Sequence, residues 1–213
     1  MLQPAVEKPM PVCRSATGWR SQFAHPQGWR GWVVAHLMAL KNRERSLWVL
    51  SLLDVRPDDR VLEIGFGPGV DIRRIAQRVR VGFVAGIDHS EMMLRQATQR
   101  NRDAIRAGRV ELQQVNAAHL PFAAQSFDVV LAINVAQFWN PLSEAIAEIH
   151  RVLKPRGCVA LAVQPRNQGA TEEDSERTAE VLTTALSRAR FASVRLECRP
   201  TKPVSTICAI GQK

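Results

Sequence analysis

Residues 61–69 read Val61-Leu62-Glu63-Ile64-Gly65-Phe66-Gly67-Pro68-Gly69. A short, mostly apolar run of this kind fills a buried strand, and a glycine loop follows it at once. Glycines there let the backbone turn sharply into a helix and approach a ligand closely. The spacing is G-x-G-x-G. A dinucleotide fingerprint, G-x-G-x-x-G, places its third glycine one residue later, which disfavours a nicotinamide-dependent oxidoreductase. A tight strand-to-helix turn without a ligand has the same local signature, so the flanking chain decides the reading.

Downstream, short apolar runs alternate with amphipathic stretches. Residues 71–80 read as a helix with Ile72, Ile75, Ala76 and Val79 on one face, and 83–87 as a second strand. Ser90 caps a helix from Glu91 to about residue 107. Strands follow at 110–115 and 127–133. Pro141 opens a helix to Leu153, 158–163 is a fifth strand, and 172–190 is a helix. Strands at 194–198 and 206–210 close the chain through a proline-containing turn. Continuous apolar strands alternating with helices predict an α/β fold: a Rossmann-like, doubly wound, mostly parallel seven-stranded sheet with helices on both faces. Ligands of such sheets sit beyond the carboxyl ends of the strands, here after Ile64, Ile87, Val115 and Ile133.

Two polar residues fall at those ends. Asp88 closes the second strand 19 residues beyond Gly69, where an acid can accept both ribose hydroxyls of a nucleoside; a helix-capping role is the structural alternative. Asn116-Ala117 follows the third strand, where a side-chain amide and a backbone N–H can read an adenine edge, and where a turn asparagine is equally ordinary.

The stretches VLEIGFGPG (61–69), GIDHSEMM (86–93), NAAHLPFAAQSFDVVLAINV (116–135) and HRVLKPRG (150–157) together resemble the class I S-adenosylmethionine-dependent methyltransferases, most closely the small-molecule enzymes called type 11. Four motifs occur in the family's order on the expected elements. The resemblance implies S-adenosylmethionine as cofactor and S-adenosylhomocysteine as product. It implies that Glu63 and the backbone of Gly65, Phe66, Gly67 and Gly69 hold the methionyl end and that Asp88 binds the ribose. His89 and Met93 would flank the adenine, Asn116 and Ala117 would meet its edge, and Asn134 would lie near the transferable methyl. The chain departs from the usual pattern with Asn at 116 where Asp is common, Phe at 66 where a small residue is common, and Arg156 before Gly157. An uncharged amide at 116 makes a weaker acceptor than a carboxylate. The Asn-Pro-Pro-Tyr type signature of amino-directed nucleic acid enzymes is missing.

The amino-terminal part reads as a flexible tail over 1–18, holding Pro4, Pro9, Pro11 and Gly18, and a helical cap or lid over 19–55; residues 56–213 form the cofactor-binding domain. Within the cap, His25-Pro26-Gln27-Gly28 punctuates the pattern. Lys41–Arg45 reads as a polar bridge between two helical pieces. The cap is the expected source of a substrate lid, so His25, Trp29 and Trp32, with Gln137 after the fourth strand, are the candidate acceptor contacts. Aromatic faces could stack on a planar acceptor or attract a sulfonium. In-line methyl transfer needs a base only when the nucleophile must lose a proton, and none of His25, His36, His119 and His150 is assigned that role.

Composition bounds the partners. The chain has 213 residues, enough for one such domain plus the cap. Lys plus Arg is 29 and Asp plus Glu 20, a net +9, nearly all from arginine because Lys occurs only at positions 8, 41, 154, 202 and 213. The excess raises a nucleic acid, an acidic membrane or an anionic substrate as partners. Much of it falls on crossover helices, at Arg73, Arg74, Arg78 and Arg80 and at Arg95, Arg100, Arg102, Arg106 and Arg109, as a solvated surface would. The leading expectation is therefore methyl transfer to a small-molecule O, N, S or C nucleophile. RNA or DNA methylation is the alternative, and non-catalytic S-adenosylmethionine binding a further one. Cys13, Cys158, Cys198 and Cys208 form no CxxC pair or zinc spacing, so free thiols in the cytoplasm and no metal are expected. No apolar run is long enough to span a membrane, and the oligomeric state is open.

Overall fold

The computed structural model describes residues 43–213. The tail over 1–18 and the cap up to residue 42, with His25, Trp29, Trp32 and His36, lie outside the described residues. Helix α1 covers 43–52. There follow β1 (Arg60–Ile64), α2 (Val70–Arg78), β2 (Phe83–Asp88), α3 (Glu91–Arg106), β3 (Val110–Gln114), β4 (Phe127–Ile133), a short 3-10 turn (Ala136–Phe138), α4 (Leu142–Val152), β5 (Leu153–Val163), α5 (Glu172–Arg188), β6 (Ser193–Arg199) and β7 (Thr206–Gln212).

The seven strands form one sheet in the order β3-β2-β1-β4-β5-β7-β6. The first five pair in parallel, and β7 runs antiparallel to both β5 and β6. The order reverses between β1 and β4, so a crevice opens at the carboxyl ends of those two strands. Strand side chains alternate between two cores. Leu62, Ile64, Val130, Ala132, Val159 and Leu161 pack with Ile146, Ile149 and Val152 of α4 and Leu182 and Leu186 of α5. Val61, Val84, Val129, Leu131 and Ala160 pack with Val49 and Leu53 of the α1 region, Ile72 and Ile75 of α2, and Met93 and Ala97 of α3. Central strands buried on both faces explain the unbroken apolar runs. Edge strand β6 is exposed or half-buried throughout, with Arg195 and Leu196 exposed in succession.

Two local readings shift. Residues 43–45 of the expected polar bridge are helical, and Arg45 is only 5% exposed. Its guanidinium bonds to groups on β7 and after β5, so a tertiary contact overrides local polarity. Strand β5 starts at Leu153, not at Cys158: Leu153 pairs with Phe127, and the register then shifts before Cys158 pairs with Val129. Arg156 takes a left-handed φ of 65° within that irregularity, and the Lys154 ammonium holds both carboxylate oxygens of Asp128, at 2.9 and 2.8 Å.

Candidate functional site

The glycine loop leaves β1 with Gly65, Gly67 and Gly69 at φ of 77°, 51° and 72°, a region L side chains rarely adopt. The Gly65 N–H donates to Ile87 O at 2.7 Å, stitching the loop to β2. Methyl groups of Val135 occupy the space a side chain at 65 would need, whereas Gly67 has nothing within 4 Å of where its Cβ would stand. The loop is thus packed against protein at its start and open at its middle. The amide of Asn101 closes its end by donating to Gly69 O at 3.0 Å.

Asp88, 7% exposed, braces the loop from β2. Its Oδ2 accepts the Gly67 N–H at 2.8 Å and its Oδ1 the Ser90 N–H at 2.9 Å. The neighbouring His89 ring is 57% exposed, with Nδ1 3.6 Å from Asp88 Oδ1. Met93 and Phe66 are 4% and 3% exposed and lie in the α2–α3 core, so Phe66 presents its backbone rather than its ring to the loop's outer side.

Glu63, beside the loop, is 3% exposed, and its Oε2 has no hydrogen-bond partner. Burial lifts its pKa well above the usual carboxylate range; the Asp71 and Asp88 carboxylates add to the rise and the Arg74 guanidinium opposes it. Asp71 is itself held by the Ser46 hydroxyl at 2.6 Å and by Arg74 at 2.5 Å.

At the end of β4, Asn134 stands at a φ of 57°. Its Oδ1 accepts the Gln164 N–H at 2.9 Å, while its buried Nδ2 has no partner. Gln137 donates from Nε2 to Asn134 O at 3.0 Å and leaves a buried Oε1 without a partner. Beyond β3, Asn116 Oδ1 accepts the Ala118 N–H at 3.0 Å, and Ala117 is 7% exposed. Arg151 pins the loop beyond them through Leu120 O at 2.9 Å and Phe122 O at 2.7 Å.

The strand ends therefore bring Glu63, the glycine loop, Asp88, Asn116 and Asn134 to one edge of the sheet. Sequence reasoning missed Asp71, Gln164, Arg45 and Arg166. The usable signal was Gln164, a polar residue directly after the apolar run 158–163. The histidines differ in place: His119 turns within the loop after β3, donating its N–H to Asn116 O at 3.1 Å. His150 packs edge-on against Phe191 at 5.1 Å between ring centres, by the amino end of β5, away from the crevice. Burial pushes the Cys158 and Cys208 thiols up to about 11 and about 12, so neither is a ready nucleophile. Among the described residues, no group of three or more His, Cys, Asp or Glu is placed to hold a metal ion, and no helix is long and apolar enough to cross a membrane.

A family profile described as a methyltransferase domain matches residues 62–161. The uncharacterized methyltransferase YdaC of Bacillus subtilis is 29% identical over 181 residues, 85% of this chain and 98% of its own length. The 27-O-demethylrifamycin SV methyltransferase of Amycolatopsis mediterranei is 35% identical over 61% of this chain, which spans 48% of that relative. The structure of a SAM-dependent methyltransferase from Aquifex aeolicus aligns with a TM-score of 0.61 at 18% identity, covering 78% of this chain and 88% of that one. The matched span runs from β1 into β5 and holds Glu63, the glycine loop, Asp88, Asn116 and Asn134, and with these likenesses it supports a class I S-adenosylmethionine-dependent methyltransferase.

Proposed function

We propose that the chain methylates a small-molecule acceptor, with the cofactor held by the residues at the ends of β1, β2 and β3 and the acceptor entering beside Asn134. The observation that carries this reading is the pairing of a buried Glu63 carboxylate, whose Oε2 has no hydrogen-bond partner, with an open glycine loop braced by Asp88. Those groups suit S-adenosylmethionine. Glu63 Oε2 is a spare acceptor for an ammonium, the space over Gly67 admits a ligand against the backbone, and Asp88 stands where a ribose diol would bind. His89 and Met93 would flank the base, and Asn116 and Ala117 would meet its edge.

S-adenosylmethionine, when bound, would supply a methyl carbon that the acceptor's nucleophile attacks in line as the carbon–sulfur bond breaks and S-adenosylhomocysteine leaves. This chain's residues contribute position. Val135 and Gly65 fix the loop against the end of β4. Asn134, locked through Oδ1 to the Gln164 backbone, offers Nδ2 to whatever lies over the crevice, and Gln137 offers Oε1 as an acceptor for a hydroxyl or amine proton. His25, Trp29 and Trp32 would complete the acceptor side from the amino-terminal segment. The rifamycin relative, whose name records methylation of a small molecule, supports that acceptor class. Calorimetry with S-adenosylhomocysteine, followed by labelled-methyl turnover on small acceptors, tests the reading. Absence of S-adenosylhomocysteine binding would sink it, and steeply salt-dependent methylation of RNA would move the acceptor to nucleic acid.

A further inference from the structure

Resting on that reading, we infer that the methylated atom is the oxygen of a neutral hydroxyl, an alcohol or a phenol, held between Asn134 Nδ2 and Gln137 Oε1 at the end of β4.

Two unspent hydrogen-bonding atoms stand on residues one short turn apart. Asn134 Nδ2 and Gln137 Oε1 are both buried, and neither has a partner. Their identities are forced by what the other end of each amide touches. Asn134 Oδ1 accepts the Gln164 backbone N–H at 2.9 Å, so the spare end of that amide is a donor. Gln137 Nε2 donates to the Asn134 carbonyl oxygen at 3.0 Å, so the spare end of that amide is an acceptor. Neither amide can turn over without losing its backbone bond. Both residues are half-buried, so the pair lines the crevice and is not sealed in the core. A buried donor and a buried acceptor left unmatched are costly, and a group that satisfies both is favoured there.

The pair adjoins the start of the glycine loop. Ile64 of β1 lies opposite Ala132 of β4, so the chain just beyond each strand also runs side by side. Methyl groups of Val135 fill the space beside Gly65. Asn134 and Gln137 therefore flank the switch between β1 and β4, where ligands of such sheets sit.

A donor next to an acceptor separates the possible nucleophiles. A hydroxyl oxygen has one proton and two lone pairs. Its proton goes to Gln137 Oε1, one lone pair accepts from Asn134 Nδ2, and the second is left to attack. A neutral amine has a single lone pair, which must either accept from Nδ2 or attack. A thiol is weak in both roles, a carbon nucleophile fills neither, and a carboxylate has no proton for Gln137. In the step itself, the free lone pair of the hydroxyl forms the oxygen–carbon bond. The carbon–sulfur bond breaks and its electron pair stays on the sulfur of S-adenosylhomocysteine. The hydroxyl proton leaves its contact with Gln137 for solvent water, because an amide oxygen is too weak a base to keep it. Phe138, 54% exposed in the same turn, adds apolar surface for the body that carries the hydroxyl.

The test is calorimetry of phenol, benzyl alcohol, aniline and benzoate into the full chain saturated with S-adenosylhomocysteine, followed by labelled-methyl turnover on the same four compounds. A hydroxyl compound should bind and take the label, with aniline and benzoate at least tenfold weaker. Gln137→Leu should weaken the hydroxyl compound about tenfold, the size of one hydrogen bond. Gln137→Glu keeps an acceptor there and should recover part. Asn134→Asp keeps the oxygen that accepts from Gln164 and suits the left-handed φ of 57°, but it turns the spare donor into an acceptor. Aniline can then donate two protons and keep its lone pair, so the preference for phenol over aniline should fall about tenfold. In the full chain the Asn134 side-chain amide resonances should shift when phenol is added. S-adenosylhomocysteine affinity and melting temperature should stay level in Gln137→Leu. The inference is overturned if neither hydroxyl compound binds, if aniline or benzoate binds and takes the label as well, if Gln137→Leu binds phenol as the full chain does, or if the Asn134 resonances stay in place. It is overturned equally if Gln137→Leu loses S-adenosylhomocysteine as strongly as phenol, since the pair then serves the cofactor. If S-adenosylhomocysteine fails to bind the full chain, the methyltransferase reading has failed and the hydroxyl assignment goes with it.

Discussion

The carboxylate of Asp88 accepts the backbone N–H of Gly67 at 2.8 Å, so the end of β2 holds the middle of a loop that leaves β1. The same side chain accepts the Ser90 N–H at 2.9 Å and so also fixes the approach to α3. Charge-assisted bonds of this kind contribute about 1.5–3 kcal/mol each. Asp88→Ala should therefore lower stability by about 2 kcal/mol and weaken S-adenosylhomocysteine binding at least tenfold, since the loop loses its brace and the ribose its acceptor. Asp88→Asn should fall between, because an amide keeps only one acceptor oxygen. Thermal melts and calorimetry on the same samples read both effects. Unchanged affinity in Asp88→Ala would refute the ribose assignment.

Gly65 is constrained twice. Its φ of 77° is costly for any L side chain, and Val135 fills the space a Cβ would need. Gly65→Ala should cost about 2–4 kcal/mol, the sum of left-handed strain and overpacking. Trimming the obstacle in Gly65→Ala/Val135→Ala should return only the packing part, because the backbone strain remains. Denaturant midpoints of the two single variants and the double variant separate the terms. Full recovery in the double variant would show that φ is not limiting.

Glu63 couples stability to pH. Burial lifts its folded pKa well above the ordinary range, with Asp71 and Asp88 adding. Below the unfolded pKa, about 4.3, both states hold the proton. As pH rises from there through the folded value, the unfolded chain ionises first, so the fold loses stability across that window. Glu63→Gln should match the full chain near pH 4 and melt a few degrees higher at pH 8, yet bind S-adenosylhomocysteine more weakly because it can never present a charge to an ammonium. In the full chain that affinity should rise with pH over the same window. A melting difference that stays constant with pH would remove the raised pKa from the argument.

Topology was legible because period and composition change together. Val61–Ile64 and Phe127–Ile133 are continuous apolar runs, and the helices between them repeat at helical spacing. The proposed cofactor half could be read from sequence because Glu63, the glycines and Asp88 sit at strand ends within local motifs. The tertiary ties around it could not. Arg45 reads as solvated polar chain until its contact 119 residues away with Gln164 is seen, and Thr206 lies farther still. Asp71 reads as an ordinary acid in a first helical turn, and both its bond from Ser46 and its repulsion of Glu63 are tertiary. The start of β5 was lost because Lys154-Pro155-Arg156-Gly157 has turn composition, although Leu153 before it already pairs with Phe127.

Arg151 anchors the loop after β3, on the side proposed for adenine. It donates to Leu120 O and Phe122 O, and it forks onto both Glu148 oxygens at 2.6 and 2.8 Å; Glu148 in turn accepts the Leu120 N–H at 2.8 Å. The hydrogen bond from Arg151 holds Glu148 below the ordinary carboxylate range and lifts Arg151. The Arg151 side chain is 37% exposed, so the charge attraction is screened and contributes at most about 1 kcal/mol. The bonds to backbone carbonyls dominate. Arg151→Ala should cost about 2 kcal/mol, and most of that loss should persist in about 0.5 M salt, where exposed charge pairs are screened. Glu148→Gln should cost less. Its deficit should be present at neutral pH and vanish as acid drives Glu148 through its lowered folded pKa, because the pair is then lost in both chains. Both changes should weaken S-adenosylhomocysteine, as the loop carrying Asn116 and Ala117 loses its anchor. If high salt abolished the Arg151→Ala deficit, the ion pair rather than the carbonyl contacts would be holding the loop.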